Sequence, residues 1–300
     1  MLARRGRAGV PTAAAMAPTC HEPGAHADLY ACRACGTIQQ PALPSGPELL
    51  DLYRDMEDEA YLEEEAGRRA TSRRLLKHVE RVAPRRGRLL EVGCGHGLLL
   101  DEARRAGWQV RGLEPARAAR AHAASLGLDV RDALVEDLDP AVDGAYEAVV
   151  MIDVVEHLED PVATLRAAAA LLVDGGALCV VTPDPSSPTA RLAGGRWWGY
   201  LPAHTFLLPR RTLRRVLCDQ GLEPVVDVGL WRTFSLGYWT GGLGERSGAL
   251  GAALGKLRST PLGRAPLTMS LGDERVMVGR RAAAVPASPP AVAGPAAATG

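Results

Sequence analysis

The chain has 300 residues, and its 35 basic and 35 acidic side chains give a formal net charge of zero at pH 7. A balanced charge excludes the global field that recruits nucleic acid or anionic membranes, and no apolar run approaches the roughly 20 residues of a membrane span. The 6 cysteines are few and mostly isolated, which suits a reducing compartment. We therefore expect a cytoplasmic protein with no nucleic-acid partner and no stable membrane insertion.

Both ends of the chain lack hydrophobic periodicity. Residues 1–19 carry arginines and an Ala-rich patch that Pro11 interrupts, and they are predicted to be a disordered leader, or to precede a true start at Met16. Residues 282–300 are rich in Ala and Pro and are predicted to be a disordered tail.

Residues 20–45 contain a C-x-x-C-G knuckle, in which Gly36 permits the turn that aims two thiolates at one point. An earlier half-knuckle has Pro23 where its second cysteine would stand. Zinc takes four ligands, and an imidazole can replace a thiolate. The candidate zinc ligands are Cys20, Cys32 and Cys35, completed by His26 or His21. A knuckle that folds without metal is the alternative.

After a helical segment at residues 46–84, a short apolar run ends in Glu91, and Gly93, Gly95 and Gly97 follow at alternate positions. Such a turn between a strand and a helix lets a ligand approach the backbone and the free N–H groups of the helix. The spacing differs from the G-x-G-x-x-G of dinucleotide sites, because Leu98 stands at the sixth position. The acid before the turn can hold an ammonium group.

Strand-like and helix-like segments alternate after the turn, which predicts an α/β fold with a parallel sheet. Ligands of such sheets bind beyond the carboxyl ends of the strands. The predicted strands are 108–113, 128–131, 146–152, 177–181, 224–230 and 274–280, and the predicted helices are 98–106, 116–126, 161–173 and 210–220.

The glycine turn resembles motif I of the class I S-adenosylmethionine-dependent methyltransferases. The run from Asp153 to Pro161 resembles the D/E-x-x-E-H-x-x-D-P segment of ubiquinone-type O-methyltransferases and related bacterial enzymes. One related bacterial group also carries N-terminal Cys knuckles. The resemblance implies a methyltransferase domain over residues 85–281, built on a seven-stranded, Rossmann-like, mostly parallel sheet with an antiparallel last strand.

The resemblance also implies S-adenosylmethionine as the cofactor. Glu114, at the end of the second strand, takes the place of the acid that binds the ribose hydroxyls. The segment after the third strand corresponds to the family segment that lies along the adenine ring of the cofactor. The implied cofactor-binding residues are Glu91, Gly93, Cys94, Gly95, Gly97, Glu114, Pro115, Val135, Glu136 and Asp153.

The candidate catalytic residues are Asp153, Glu156, His157 and His204. In one interpretation, His157 or His204 is a general base for an acceptor hydroxyl. In another, the set binds a divalent ion that orients this hydroxyl, as the resemblance suggests. In the third interpretation, each of these residues has only a structural role, such as capping, ion pairing or packing. Three aromatic residues on a Gly-rich loop are predicted to form a lid over the substrate: Trp197, Trp198 and Tyr200. Four later ones are predicted to line an apolar acceptor pocket, with core packing as the alternative: Trp231, Phe234, Tyr238 and Trp239.

The resulting hypothesis is methyl transfer to a hydroxyl oxygen of a small molecule: a secondary metabolite, a sugar or a phenol. The alternatives are a sugar C-methyltransferase and a catalytically decayed cofactor-binding or scaffold protein. The intact Glu91, glycine triad and Glu114 argue against the loss of cofactor binding.

Overall fold

The described residues of the computed structural model are 2–4, 6, 12–17, 26–41, 45–244 and 260–283. The strands are β1 Leu2–Arg4, β2 Leu29–Ala31, β3 Ile38–Gln39, β4 Arg88–Val92, β5 Gln109–Leu113, β6 Val130–Arg131, β7 Tyr146–Ile152, β8 Leu172–Pro183, β9 Phe206–Leu207, β10 Leu222–Gly229, β11 Arg232–Ser235, β12 Pro266–Met269 and β13 Glu274–Arg281. The α-helices are α1 Pro47–Arg54, α2 Glu65–Glu80, α3 Leu98–Arg105, α4 Arg117–Ser125, α5 Pro161–Ala170, α6 Pro188–Ala193, α7 Arg210–Asp219 and α8 Leu236–Gly244.

The central sheet has seven strands in the order β10-β13-β8-β7-β4-β5-β6. The ladders among β4 to β8 are parallel, whereas β13 runs antiparallel to both β8 and β10. This confirms the predicted seven-stranded sheet with an antiparallel last strand. The strand order reverses between β4 and β7, which opens a crevice at their carboxyl ends.

Helices cover both faces of this sheet, because β4, β7 and β8 are apolar on both sides. One core packs α2, α3 and α4 on the sheet through side chains such as Leu76 and Leu99. The other packs α5 and α7 through Leu165 and Leu217. Two buried faces fix the register of the strands, and with it the positions of the residues at their carboxyl ends.

A smaller sheet, in the order β1-β2-β3-β9, joins the N-terminal part of the chain to the segment after β8. The leader was expected to be disordered, but its residues Leu2–Arg4 pair with β2, and Ala13–Met16 form a 3₁₀ helix. Met16 is buried in a small apolar cluster with Leu49, which explains why these residues adopt a defined conformation. The tail was also expected to be disordered; its first two residues follow β13, and 284–300 lie outside the described residues.

The helix predicted at 161–173 is shorter than expected and ends at Ala170. β8 begins at Leu172, so residues 174–176, between the predicted helix and the predicted strand at 177–181, also lie within the strand. The register shifts there, since Tyr146 pairs with Leu172 and Ala148 with Ala177. Burial of Leu172 at the strand start overrides the helical preference of the preceding Ala-rich run.

The segment between β10 and β13 contains a two-stranded antiparallel sheet, β11–β12, that the sequence patterns did not reveal. β11 and β12 pair antiparallel, with Phe234 opposite Leu267. α8 follows β11. Residues of β11 and α8 line the cavity at the carboxyl ends of the central strands. Among the residues that the structure describes, no helix combines the length and apolar character needed to cross a bilayer.

Candidate functional site

A cavity of about 1500 Å³ lies at the carboxyl ends of β4, β5 and β7. The glycine turn forms the floor of the cavity. Its sides come from α1, α2, the loop after β7 and the two strands β11 and β12. The predicted cofactor and catalytic residues converge on this cavity, with the exception of Gly97, which packs behind the turn.

The three glycines of the turn have φ angles of 66° at Gly93, 51° at Gly95 and 77° at Gly97, a region that favours glycine. A Cβ at Gly93 would lie 2.6 Å from Val154 Cγ2, and one at Gly97 would lie 2.6 Å from Leu128 Cδ1. Gly93 and Gly97 therefore serve close packing. A Cβ at Gly95 would meet no described atom within 4 Å, so the open side of Gly95 is where a ligand can approach the backbone.

Glu91 is buried at the end of β4, with 4% of its surface exposed. Its Oε2 has no hydrogen-bond partner among the described residues. Burial raises the pKa of this carboxyl well above its usual value, and the nearby charge of Glu114 raises it further. A cationic donor entering the cavity would therefore satisfy a group that the fold leaves unsatisfied.

Glu114 lies at the end of β5, where both of its carboxyl oxygens are held by backbone amides. Oε2 accepts from Gly95 N at 2.7 Å, and Oε1 accepts from Ala116 N at 2.8 Å. Burial raises the pKa of Glu114, and these two hydrogen bonds oppose the rise. Each carboxylate oxygen keeps a free lone pair, so the group can still accept from vicinal hydroxyls.

The other predicted cofactor residues line the same part of the cavity. Val135 and Glu136 begin a 3₁₀ helix after β6, and the Thr164 hydroxyl donates to Glu136. Pro115 and Cys94 also line the cavity, and burial raises the pKa of the Cys94 thiol. The Cys94 thiol is thus neutral at neutral pH.

Asp153 follows β7 with a φ of 52°, a conformation that is unusual for a residue with a side chain. Its Oδ2 lies 2.6 Å from Nη2 of Arg232, while its Oδ1 is buried without a partner among the described residues. Arg232 also forms an ion pair with Glu274. Burial opposes the charge on Arg232, but the two carboxylates raise its pKa well above the ordinary value.

Arg232 is a site residue that the sequence patterns did not indicate. Arg232 begins β11, and its ion pair with Asp153 connects β11 to the loop after β7. A single arginine between Trp231 and Thr233 gives no signal of its own, since its partners are 79 and 42 residues distant along the chain.

Glu156, His157 and His204 are brought together from two segments. Each offers one ligand atom, and these atoms all lie within 4.8 Å of one another, the one such cluster of three in the described chain. Asp153 was grouped with them in the sequence-based hypothesis, but its Oδ2 is bound to Arg232 and it is not part of this cluster.

Both histidines of the cluster point Nδ1 at backbone carbonyls. His204 Nδ1 lies 2.7 Å from Gly199 O, and His157 Nδ1 lies 3.1 Å from Ala203 O. A carbonyl only accepts, so Nδ1 of His204 carries the proton and its Nε2 keeps a lone pair. Nδ1 of His157 also lies 2.9 Å from the Tyr53 hydroxyl, which can accept or donate, so the tautomer of His157 depends on that contact. Burial lowers the pKa of His157 to about 4 and that of His204 to about 3, with the charge of His157 contributing to the latter. Both rings are neutral at pH 7.

Glu156 completes the cluster with a buried carboxyl group, only 1% exposed. Burial raises its pKa well above the usual value, and the charge of Asp153 adds to this effect. Thr182 donates a hydrogen bond to its Oε2 at 3.0 Å. A buried carboxyl group beside two oriented imidazoles is a donor set that suits a divalent cation, and equally a set that can hold a proton.

The predicted zinc ligands stand apart from this cavity. Cys32 and Cys35 are exposed, while His26 is buried and contacts the edge of the Tyr200 ring. Cys20 and the alternative ligand His21 lie outside the described residues. The zinc site of the knuckle stays a prediction.

Of the residues predicted to line the acceptor pocket, Phe234, Tyr238 and Trp239 line the cavity, whereas Trp231 is exposed and does not. Of the predicted lid residues, Trp197 and Tyr200 do not line it. Trp198 lines the cavity, and its indole N–H and that of buried Trp197 both donate to Asp273, at 2.7 and 2.8 Å. Further wall residues are mainly apolar or aromatic: Leu49, Tyr53, Met56, Leu230, Phe234, Tyr238, Trp239 and Met269. The part of the cavity beyond the glycine turn is thus an apolar chamber.

Known proteins resemble this chain in sequence. The sequence profile of the family described as "Methyltransferase domain" matches residues 65–227, more than half of the chain. The ubiquinone biosynthesis O-methyltransferase of Cereibacter sphaeroides is 35% identical over 173 residues, 53% of this chain and 68% of the relative. That of Xanthomonas campestris pv. campestris is 41% identical over 119 residues, 38% of this chain and 50% of the relative. The chain thus spans about half the length of the Xanthomonas relative.

Solved structures share the fold at low sequence identity. A SAM-dependent methyltransferase from Archaeoglobus fulgidus superposes with a TM-score of 0.51 at 17% identity, over 75% of this chain and 100% of that one. One from Thermotoga maritima gives a TM-score of 0.50 at 18% identity, over 74% and 93%. These likenesses confirm the fold class.

The Arg232 ion pairs can be tested by unfolding. Arg232→Met would leave the carboxylates of Asp153 and Glu274 facing each other, so we expect the free energy of unfolding in urea at pH 7 to fall by about 3 kcal/mol, the lower end of the range for broken buried pairs. The side chain of Asp153 is 37% exposed, which limits the loss. Arg280→Met removes an exposed pair with Glu223 and should cost less than about 1 kcal/mol. Equal losses in the two variants would contradict a dominant role for the Arg232 pairs.

Proposed function

The chain belongs to the methyltransferase domain family and is related to the ubiquinone O-methyltransferases, and from this premise we propose that it transfers a methyl group from S-adenosylmethionine to a hydroxyl oxygen. The observation that carries the proposal is the pairing of an unsatisfied carboxylate, Glu91, with the open backbone at Gly95. S-adenosylmethionine supplies the electrophilic methyl group.

The residues around the glycine turn fit this cofactor. Glu91 Oε2 can accept from the ammonium of the amino-acid end, which offsets the cost of burying the carboxylate. Glu114 can accept from the two ribose hydroxyls, as in the family it resembles. Val135 and the half-exposed Leu134 provide an apolar wall beside which an adenine ring can pack. An acidic, partly apolar pocket also suits a cofactor with a sulfonium charge.

The acceptor is proposed to be a phenol or a similarly apolar alcohol. Support comes from the apolar chamber and from the O-methyltransferase relatives. A sugar acceptor would leave most of its hydroxyls against apolar side chains, and each unsatisfied polar group would weaken binding. A secondary metabolite with a phenolic ring fits the same chamber.

The hydroxyl is proposed to bind next to Glu156, His157 and His204. Methyl transfer forms a carbon–oxygen bond, breaks the carbon–sulfur bond and releases the hydroxyl proton, so the site must favour loss of that proton. We propose that the three side chains hold a divalent cation, whose positive charge would lower the pKa of the hydroxyl. His204 fits this role because its Nδ1 donates to Gly199 O and leaves Nε2 free, and a ring nitrogen of neutral His157 lies beside it in the same cluster.

Cofactor binding can be tested at the open glycine. Gly95→Arg would place a long side chain in the cavity, so we expect calorimetry to detect no binding of S-adenosylhomocysteine. Gly175→Arg is the matched control, because Gly175 also has a positive φ and open space around it but does not line the cavity. Binding by Gly95→Arg at the affinity of the wild type, or no binding by the wild type, would remove the cofactor assignment.

The metal role can be tested with Mn²⁺. His204→Ala and Glu156→Gln each remove one ligand, so we expect each to weaken Mn²⁺ binding in calorimetry by about tenfold or more. His78→Ala, on α2 and outside the cavity, should bind as the wild type does.

Methylation of a 4-alkyl catechol by chelator-treated protein separates the two chemical roles of the cluster. The metal role predicts that turnover is lost with the chelator and returns with Mn²⁺. Undiminished turnover after chelation, combined with loss of activity in His157→Ala or His204→Ala, would assign a histidine as general base instead.

A further inference from the structure

The N-terminal knuckle is hydrogen-bonded to the segment that carries His204. We call residues 29–40 the knuckle hairpin; they comprise β2, the Cys32–Cys35 turn, β3 and Gln40. β3 pairs antiparallel with β9, which follows His204 closely in the chain. These contacts show that the hairpin packs against the segment that carries His204 and is not a separate appendage.

Gln40 adds to this connection through a buried side chain, which is 3% exposed. Its Nε2 donates to Leu201 O at 2.7 Å and to His204 O at 2.5 Å. Its Oε1 accepts from Ala27 N at 2.8 Å, and its backbone N donates to Thr205 O at 3.0 Å. The amide group thus uses both donor hydrogens on the His204 segment and its acceptor on the N-terminal segment.

The segment that Gln40 holds contacts every member of the histidine–glutamate cluster. The Thr205 hydroxyl donates to the carbonyls of Glu156 at 3.0 Å and Leu158 at 2.6 Å. Ala203 O lies 3.1 Å from Nδ1 of His157, and His204 belongs to the segment itself. A shift of residues 201–205 would therefore move His204 and disturb the contacts to the His157 ring and to the backbone of Glu156.

We infer that Gln40 is a positioning residue for the cluster: by fixing residues 201–205 it holds His204 against His157 and Glu156. The use of the cluster in catalysis rests on the proposed function, whereas the placement of His204 by Gln40 is a property of the protein alone. The other interpretation is that Gln40 only anchors the hairpin and contributes stability without affecting the cluster.

The test compares Gln40→Glu with Gln39→Glu. Glu at position 40 keeps the length of the side chain but places a carboxylate against two carbonyl oxygens, whereas Gln39 is the half-buried neighbour on β3. We expect Gln40→Glu to bind S-adenosylhomocysteine within about twofold of the wild type, since the glycine turn is unchanged, and to weaken Mn²⁺ binding by about tenfold. Gln39→Glu should match the wild type in both.

A second measurement makes the inference independent of metal and of activity. In protein labelled with ¹⁵N-histidine, the ring signals of His204 are assigned by their loss in His204→Ala. The wild type should show the Nδ1–H tautomer that the hydrogen bond to Gly199 O requires. Gln40→Glu should shift or broaden these signals and leave those of His122, on α4, unchanged.

The outcomes separate the inference from the proposed function. If the wild type binds no Mn²⁺ but Gln40→Glu still moves the His204 signals, the metal role fails and the positioning role of Gln40 stands. If Gln40→Glu does not fold, Gln40→Met removes the same hydrogen bonds without adding a charge. A folded Gln40 variant with unchanged His204 signals and unchanged Mn²⁺ affinity, altered only in its free energy of unfolding, would overturn the inference.

Discussion

The constraint on which this structure depends is the burial of carboxyl groups at one edge of a parallel sheet. Glu91, Glu114 and Glu156 are buried where β4, β5 and β7 end, and Asp153 and Glu274 stand beside them. Withdrawing such groups from water is costly unless each is paired or hydrogen-bonded. The fold supplies hydrogen bonds to most of them. Backbone amides donate to Glu114, Arg232 donates to Asp153 and Glu274, and the Thr182 hydroxyl donates to Glu156.

Two of the buried carboxyl oxygens lack a hydrogen-bond partner among the described residues, Glu91 Oε2 and Asp153 Oδ1, and both residues line the cavity. Arg232 fixes the side chain of Asp153, whose backbone has a positive φ. The same ion pair connects the loop after β7 to β11. The fold therefore sets the positions of the acidic side chains, and a bound ligand would supply the positive charge that neutralises them.

Sequence patterns predicted the parts of this arrangement that are local. The continuous apolar run at Tyr146–Ile152 is a central strand with the bounds expected, and the glycine turn has the backbone conformation that its spacing demands. The patterns failed where distant residues decide the outcome. The helix after Pro161 ends early because Leu172 joins the sheet, and the contact of Gln40 with His204 spans 164 residues, so no window of sequence could reveal it.

The same carboxyl groups connect stability to binding. With its pKa raised well above the ordinary value, Glu91 resists ionisation as long as no cation lies beside it. A ligand that places an ammonium there favours the ionised form and binds only the folded chain, so its binding energy adds to the stability of the fold by mass action. The Glu156 cluster follows the same logic, because a buried carboxyl group with two neutral imidazoles gains most from a positive charge. The two proposed ligands, a sulfonium cofactor and a divalent ion, both bring the positive charge that these buried carboxyl groups lack.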